Sequence, residues 1–164
     1  MKDSIFYNIA YAALQQEINR IEAFTGNLDK NPAVKKEQIA EYKCAKYRYA
    51  AVSRLYCMLR NCRRYGERFR NHHYLLLILE EMLKKREDYI ALYDSAPNEE
   101  KPDYGLYYGM MEFADSLIAE ASQKLPYATD WEKIELECRL DGYYFGKKCL
   151  EDAWHAKGIG TCVN

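Results

Sequence analysis

Between Ala45 and Gly66 there is no aspartate or glutamate. Proline and glycine are scarce as well, with four and eight copies, and they fall where helices would start and stop rather than inside the periodic stretches. No glycine-rich phosphate loop can be assembled from scattered glycines. Five serines and three histidines, two of them adjacent (His72 and His73), give little support for a nucleophilic triad. The longest apolar run, Tyr74 to Leu79, is far too short to span a bilayer. The N-terminal residues carry Asp3 and Asn8 and no small-residue cleavage site, so they read as mature structure and not as a signal peptide.

Charge is segregated. From Lys43 to His73 the basic residues are Lys43, Lys46, Arg48, Arg54, Arg60, Arg63, Arg64, Arg68 and Arg70, against the single acid Glu67. A net charge of −1 thus hides a +8 segment inside a −9 remainder. Tyr42, Tyr47, Tyr49, Tyr56, Tyr65 and Phe69 are interleaved with it, in a chain that holds 16 tyrosines. Segregation of this kind speaks to partners rather than to fold.

A chain of 164 residues with 49% hydrophobic and 30% charged side chains fits one globular domain, here residues 1–164. Periodicity near 3.6 between the prolines and glycines predicts an all-α, antiparallel bundle of about five long helices. The first runs from Ser4 to Thr25 and stops at Gly26. The second is capped by Asn31 with Pro32 in its first turn, continues to Tyr65 and ends at Gly66, with a kink between Gln38 and Tyr42. The third spans Asn71 to Tyr93. The fourth starts at Pro102 and Asp103 and stops before Pro126. The fifth follows a capping box of Thr129 and Glu132 and runs to Lys157 before Gly158. The expected core is Leu14, Ile18, Ile21, Val52, Leu59, Leu75, Ile78, Leu79, Met82, Met110, Phe113, Leu117, Ile134 and Phe145.

Six cysteines in a chain with no secretion signal read as reduced thiols in the cytoplasm. Cys57 and Cys62, five apart on a helix, point about 140° away from each other, which disfavours zinc.

On a helical wheel, Lys43, Lys46, Arg54 and Arg64 share an arc of about 80° opposite the apolar arc of Ala45, Tyr49, Val52, Leu55, Tyr56, Leu59 and Cys62. Asn61 lies within that arc and Tyr47 borders it. Arg48 and Arg63 fall inside the apolar arc, where they must snorkel or pair with an acid from a neighbouring helix. A second cluster gathers at the expected start of the third helix. There Arg63, Arg64, Arg68, Arg70, His72 and His73 surround a helix N-terminus suited to anions. Tyr65 and Phe69 are close enough in sequence to stack on bases.

These residues predict a non-catalytic adaptor or inhibitor that meets an anionic partner through a basic, Arg- and Tyr-rich face. The partner is a nucleic acid bound without sequence specificity, or a protein that handles nucleic acid. A small helical protein of this kind would suit a phage or mobile element. No cofactor is expected. The competing enzyme reading is a metal-dependent, all-α nucleotide pyrophosphatase-like hydrolase. Its paired carboxylates Glu112/Asp115 and Glu132/Glu135 would hold Mg²⁺ against a diphosphate. A third reading is a structural homo-oligomer subunit.

Overall fold

The computed structural model describes the backbone of residues 4–69, 81 and 83–161, and the side chains of these except 63–69 and 158–161. Among the described residues the structure is all-α, with no strand. The helices are α1 (Ile5–Asp29), α2 (Pro32–Glu37), α3 (Ile39–Phe69), α4 (Glu87–Ser95), α5 (Lys101–Lys124) and α6 (Asp130–Thr161), with a 3₁₀ turn at Leu125–Tyr127.

Local chemistry accounts for most of the boundaries. Ser4 caps α1, its Oγ accepting from the Tyr7 amide at 3.1 Å. Pro32 and Pro102 sit in the first turns of α2 and α5, where a missing N–H costs nothing. The expected kink in the second helix is a break at Gln38 (φ −109°, ψ 32°). Asn31 occupies the N-cap of α2 but makes no side-chain capping bond.

Three glycine stops did not hold. α1 runs past Gly26 to Asp29, α3 past Gly66 to Phe69, and α6 past Gly158 to Thr161. A glycine inside a helix costs only about 1 kcal/mol, less than the packing of a long helix returns. The expected third helix is interrupted instead. Lys84 and Lys85 form a turn, Arg86 is extended, and α4 starts at Glu87 with two acids complementing its positive end. At the start of α6 the Glu132 amide donates to the Thr129 carbonyl at 3.1 Å, not to its hydroxyl. Asp130 there adopts φ 50°.

Direction follows from the contacts. Tyr42 meets Asp29, Tyr49 meets Glu22 and Tyr56 meets Tyr11, so α1 and α3 are antiparallel. Lys147 meets Asp115 and Lys157 meets Asp103, so α5 and α6 are antiparallel too. Cys44 meets Cys138, Ala51 meets Gly142 and Leu55 meets Gly146, so α3 and α6 are parallel, and theirs is the most extensive interface among the described residues. Small residues allow that approach. A Cβ on Gly142 would lie 2.7 Å from Ala51 Cβ and 3.0 Å from the Arg48 carbonyl oxygen, and one on Gly146 would overlap Leu55 Cδ1.

Leu14, Ile18, Ile21, Val52, Leu59, Met110 and Leu117 are buried as expected. Phe113 and Phe145 pack on them half-buried. Leu75, Ile78, Leu79 and Met82 lie outside the described residues. Ile134 is not core: it is 40% exposed. Four residues beyond it, Cys138 is bonded to Cys44, so Ile134 lies level with the first turn of α3, where its partner helix begins. The centre of the α3 seam is Ala51, Val52, Leu55, Leu59 and Cys62, with Tyr42, Tyr49 and Tyr56 flanking it.

Candidate functional site

On the outer face of α3, Lys43, Lys46 and Arg54 lie as the wheel arranges them, and Arg60 joins them from the edge that Tyr42 marks. Lys46, Arg54, Cys57, Arg60 and Asn61 are exposed, and Lys43 and Tyr47 are half-buried. Lys46 and Arg60 are about 21 Å apart along the helix axis. The surrounding aromatics are already engaged by cations. Lys43 Nζ sits 4.3 Å from the Trp131 ring centroid, and the Arg139 guanidinium 5.7 Å from that of Tyr47. Among the described residues, none of Lys43, Lys46, Arg54 and Arg60 forms an ion pair, whereas nearby cations do.

Arg48 is one of those that do. Its Nε–H donates to Glu17 Oε1 of α1 at 3.0 Å, and its guanidinium lies 4.8 Å from the Phe145 ring. Glu17 is buried and also accepts from Arg20 at 3.0 and 2.6 Å. The hydrogen bonds from Arg20 and Arg48 hold its carboxyl below the usual range, against the opposing pull of burial. The expected acid from a neighbouring helix is therefore Glu17.

Three tyrosines of the segment clasp α1. Tyr42 Oη donates to Asp29 at 2.9 Å, Tyr49 Oη to Glu22 at 3.1 Å and Tyr56 Oη to Tyr11 Oη at 2.6 Å. Burial, and then the bond to Tyr11, push the Tyr56 phenol up to about 12. Arg63, Arg64, Tyr65, Arg68 and Phe69 lie on α3 with side chains outside the description. Arg70, His72 and His73 lie outside the described residues.

A cleft of about 300 Å³ opens between α3, α5 and α6. Its floor is Leu117, Ala121, Leu136 and Tyr143; Arg54, Glu120, Lys124, Glu132, Glu135 and Arg139 form the walls. Lys124 pairs with Glu120 at 3.1 Å and Arg139 with Glu135 at 3.0 Å. Arg54 and Glu132 form no ion pair among the described residues. Sequence reasoning missed this cleft, because three helices far apart in the chain build it and no linear spacing announces it.

The four carboxylates of the hydrolase reading do not converge. Glu112 is buried and accepts from Ser116 Oγ at 2.7 Å. Asp115 is held by Lys147 at 2.8 Å, by Arg86 at 3.2 Å and by the Tyr89 hydroxyl at 3.3 Å. Glu135 lies twelve residues before Lys147 on α6, about 18 Å away along the axis. Among the described residues, no group of three or more His, Cys, Asp or Glu side chains could hold a metal ion.

Cys44 and Cys138 form a disulfide with a Cα–Cα distance of 5.4 Å, which overturns the all-thiol expectation. The bridge joins helices whose cysteines are 94 residues apart, a connectivity that sequence spacing cannot reveal. Cys57 is an exposed thiol, while Cys62 and Cys149 are buried thiols that burial pushes up to about 11. Among the described residues, no helix is long and apolar enough to cross a membrane. In comparison with known proteins, the chain matches no family model, no curated protein and no solved structure.

Proposed function

We propose that this chain is a non-catalytic binding protein, an adaptor or inhibitor, whose outer α3 face engages an anionic partner. That partner is a nucleic acid or a protein that itself handles nucleic acid. One observation carries the reading: Lys46, Arg54 and Arg60 are exposed on one helix face without an ion pair among the described residues. Surface helices more often alternate signs, because acid–base pairs four apart add some stability. Lys46 also acts on the Asp29 carboxylate of α1; cations left without an ion pair among the described residues keep their field available to a partner.

The proposed setting is the cytoplasm, which the free thiols of Cys57, Cys62 and Cys149 support. The Cys44–Cys138 bridge weighs against that setting, because disulfides persist mainly in oxidising compartments. Affinity capture from the native cell, before and after nuclease treatment, tests the assignment. Partners retained by the wild type and lost from Lys46→Ala/Arg54→Ala/Arg60→Ala support it; identical retention by both contradicts it.

A further inference from the structure

The Cys44–Cys138 bridge stands at the edge of the core, not within it. Every residue of α2, and residues 39–50 of α3, are exposed or half-buried, and the buried seam of α3 starts at Ala51. On α6, residues 130–137 are likewise exposed or half-buried, and Cys138 is the first buried one. One end of the bundle thus projects past the core, and the bridge joins its two long helices there. The close packing of α3 on α6 begins one turn further on, where Gly142 faces the Arg48 backbone and Ala51, and Gly146 faces Leu55.

The other ties at this end are surface contacts. Lys35 Nζ and Tyr42 Oη meet the exposed Asp29 carboxylate at 2.8 and 2.9 Å, and Tyr49 Oη meets the exposed Glu22 at 3.1 Å. Lys43 lies over the exposed Trp131 ring and Arg139 over that of Tyr47. Contacts of this kind each contribute little, so the covalent bond is the strongest tie between the two helix ends. It is also open to attack. Cys44 is half-buried, so a thiolate reaches the bridge from that side, and accessible bridges are the labile ones.

We infer that the bridge is a redox-controlled clamp on this end of the bundle. A dithiol reductant opens it. One of its thiolates attacks the Cys44 sulfur, the Cys44–Cys138 bond breaks, and the Cys138 thiolate leaves and takes up a proton. The second thiol of the reductant then displaces Cys44, which is protonated in turn, and the reductant ends as a disulfide. Once the clamp is open, α2 and the first two turns of α3 and α6 lose order, while the core keeps it. Low burial is what lets a segment open without the rest of the fold. Lys43 and Lys46 ride on the clamped turns, whereas Arg54 and Arg60 stand beyond them on the part of α3 that covers the core. The clamp therefore sets how many cations of the outer face are held in line. It concerns the order of the chain and stands apart from the anionic-partner reading above.

Backbone NMR on the full chain tests it, with the wild type oxidised and then reduced by excess dithiothreitol. On reduction, order parameters in residues 32–46 and 130–137 should fall from roughly 0.85 to below about 0.6, with Cα shifts moving toward coil values. Residues 51–59 and 142–150 should keep theirs, and reoxidation should restore the first state. Cys44→Ser/Cys138→Ser should resemble the reduced wild type with no reductant present. Should that variant fail to fold, the wild-type comparison decides alone. Ends that stay ordered after reduction overturn the inference. Loss of order throughout the bundle overturns it too, because the bridge would then be a staple of the whole fold. So does an intact mass that reduction leaves unchanged, since no bridge is then made.

Discussion

Arg48 of α3 donates its Nε–H to Glu17 of α1 at 3.0 Å, which folds one half-buried cation of the basic segment back against α1. Glu17 is buried, and Arg20 shares it. Arg48→Ala should therefore cost about 2 kcal/mol in a urea titration. That is less than the roughly 3–5 kcal/mol of stranding a buried charge outright, because Arg20 still holds the carboxylate. A change within experimental error would mean that the pair does not form.

The same carboxylate sets a pH dependence. Its folded-state pKa is depressed by Arg20 and Arg48, so its stabilisation is complete above the unfolded value, about 4.3. It is lost as pH falls through the lower folded value. Denaturation midpoints followed downward from about pH 6 should fall less steeply for Glu17→Gln than for the wild type. Parallel curves would remove Glu17 from the account.

Gly142 and Gly146 should respond differently to alanine. At Gly142 the added Cβ meets Ala51 Cβ and the Arg48 carbonyl oxygen, both tied to backbone, while at Gly146 it meets the end of the Leu55 side chain. Overpacking costs about 1–3 kcal/mol, and the gain in helix propensity offsets up to about 1 kcal/mol of it. Thermal melts should rank Gly142→Ala below Gly146→Ala, and Gly146→Ala at or below the wild type. The reverse ranking would contradict the close α3–α6 approach.

The Cys44–Cys138 bridge closes a long loop, with its cysteines 94 residues apart, and should stabilise the bundle by about 2–4 kcal/mol. Cys44→Ser, or reduction of the wild type, should lower the denaturation midpoint accordingly. Intact mass before reduction should be about 2 Da below the fully reduced value, the two hydrogens lost in forming one bridge. An unchanged mass on reduction would show that the bond is not made.

Much of the fold was legible because prolines and apolar periodicity act locally. Pro32 and Pro102 mark helix starts, and α5 ends just before Pro126. Gly26, Gly66 and Gly158 misled, since tertiary packing outweighs the small local cost of a helical glycine. The position of Arg48 in an apolar arc announced that it needed a partner. It could not name Glu17, because that choice depends on how α1 docks. Ile134 looked like core on its own helix and is exposed because α3 begins beside it. The cleft and the disulfide join residues from distant helices, which no single stretch of sequence encodes.

The outer face of α3 is proposed as an electrostatic binding surface. The direct measurement is the salt dependence of single-stranded DNA binding, used as a polyanion probe, by the wild type and by Lys46→Ala/Arg54→Ala/Arg60→Ala. Each cation that meets a phosphate contributes about 0.7 to the slope of log K against log salt on a single strand. The triple variant should bind more weakly, with a slope smaller by about 2. Equal slopes and affinities for the two proteins would contradict it.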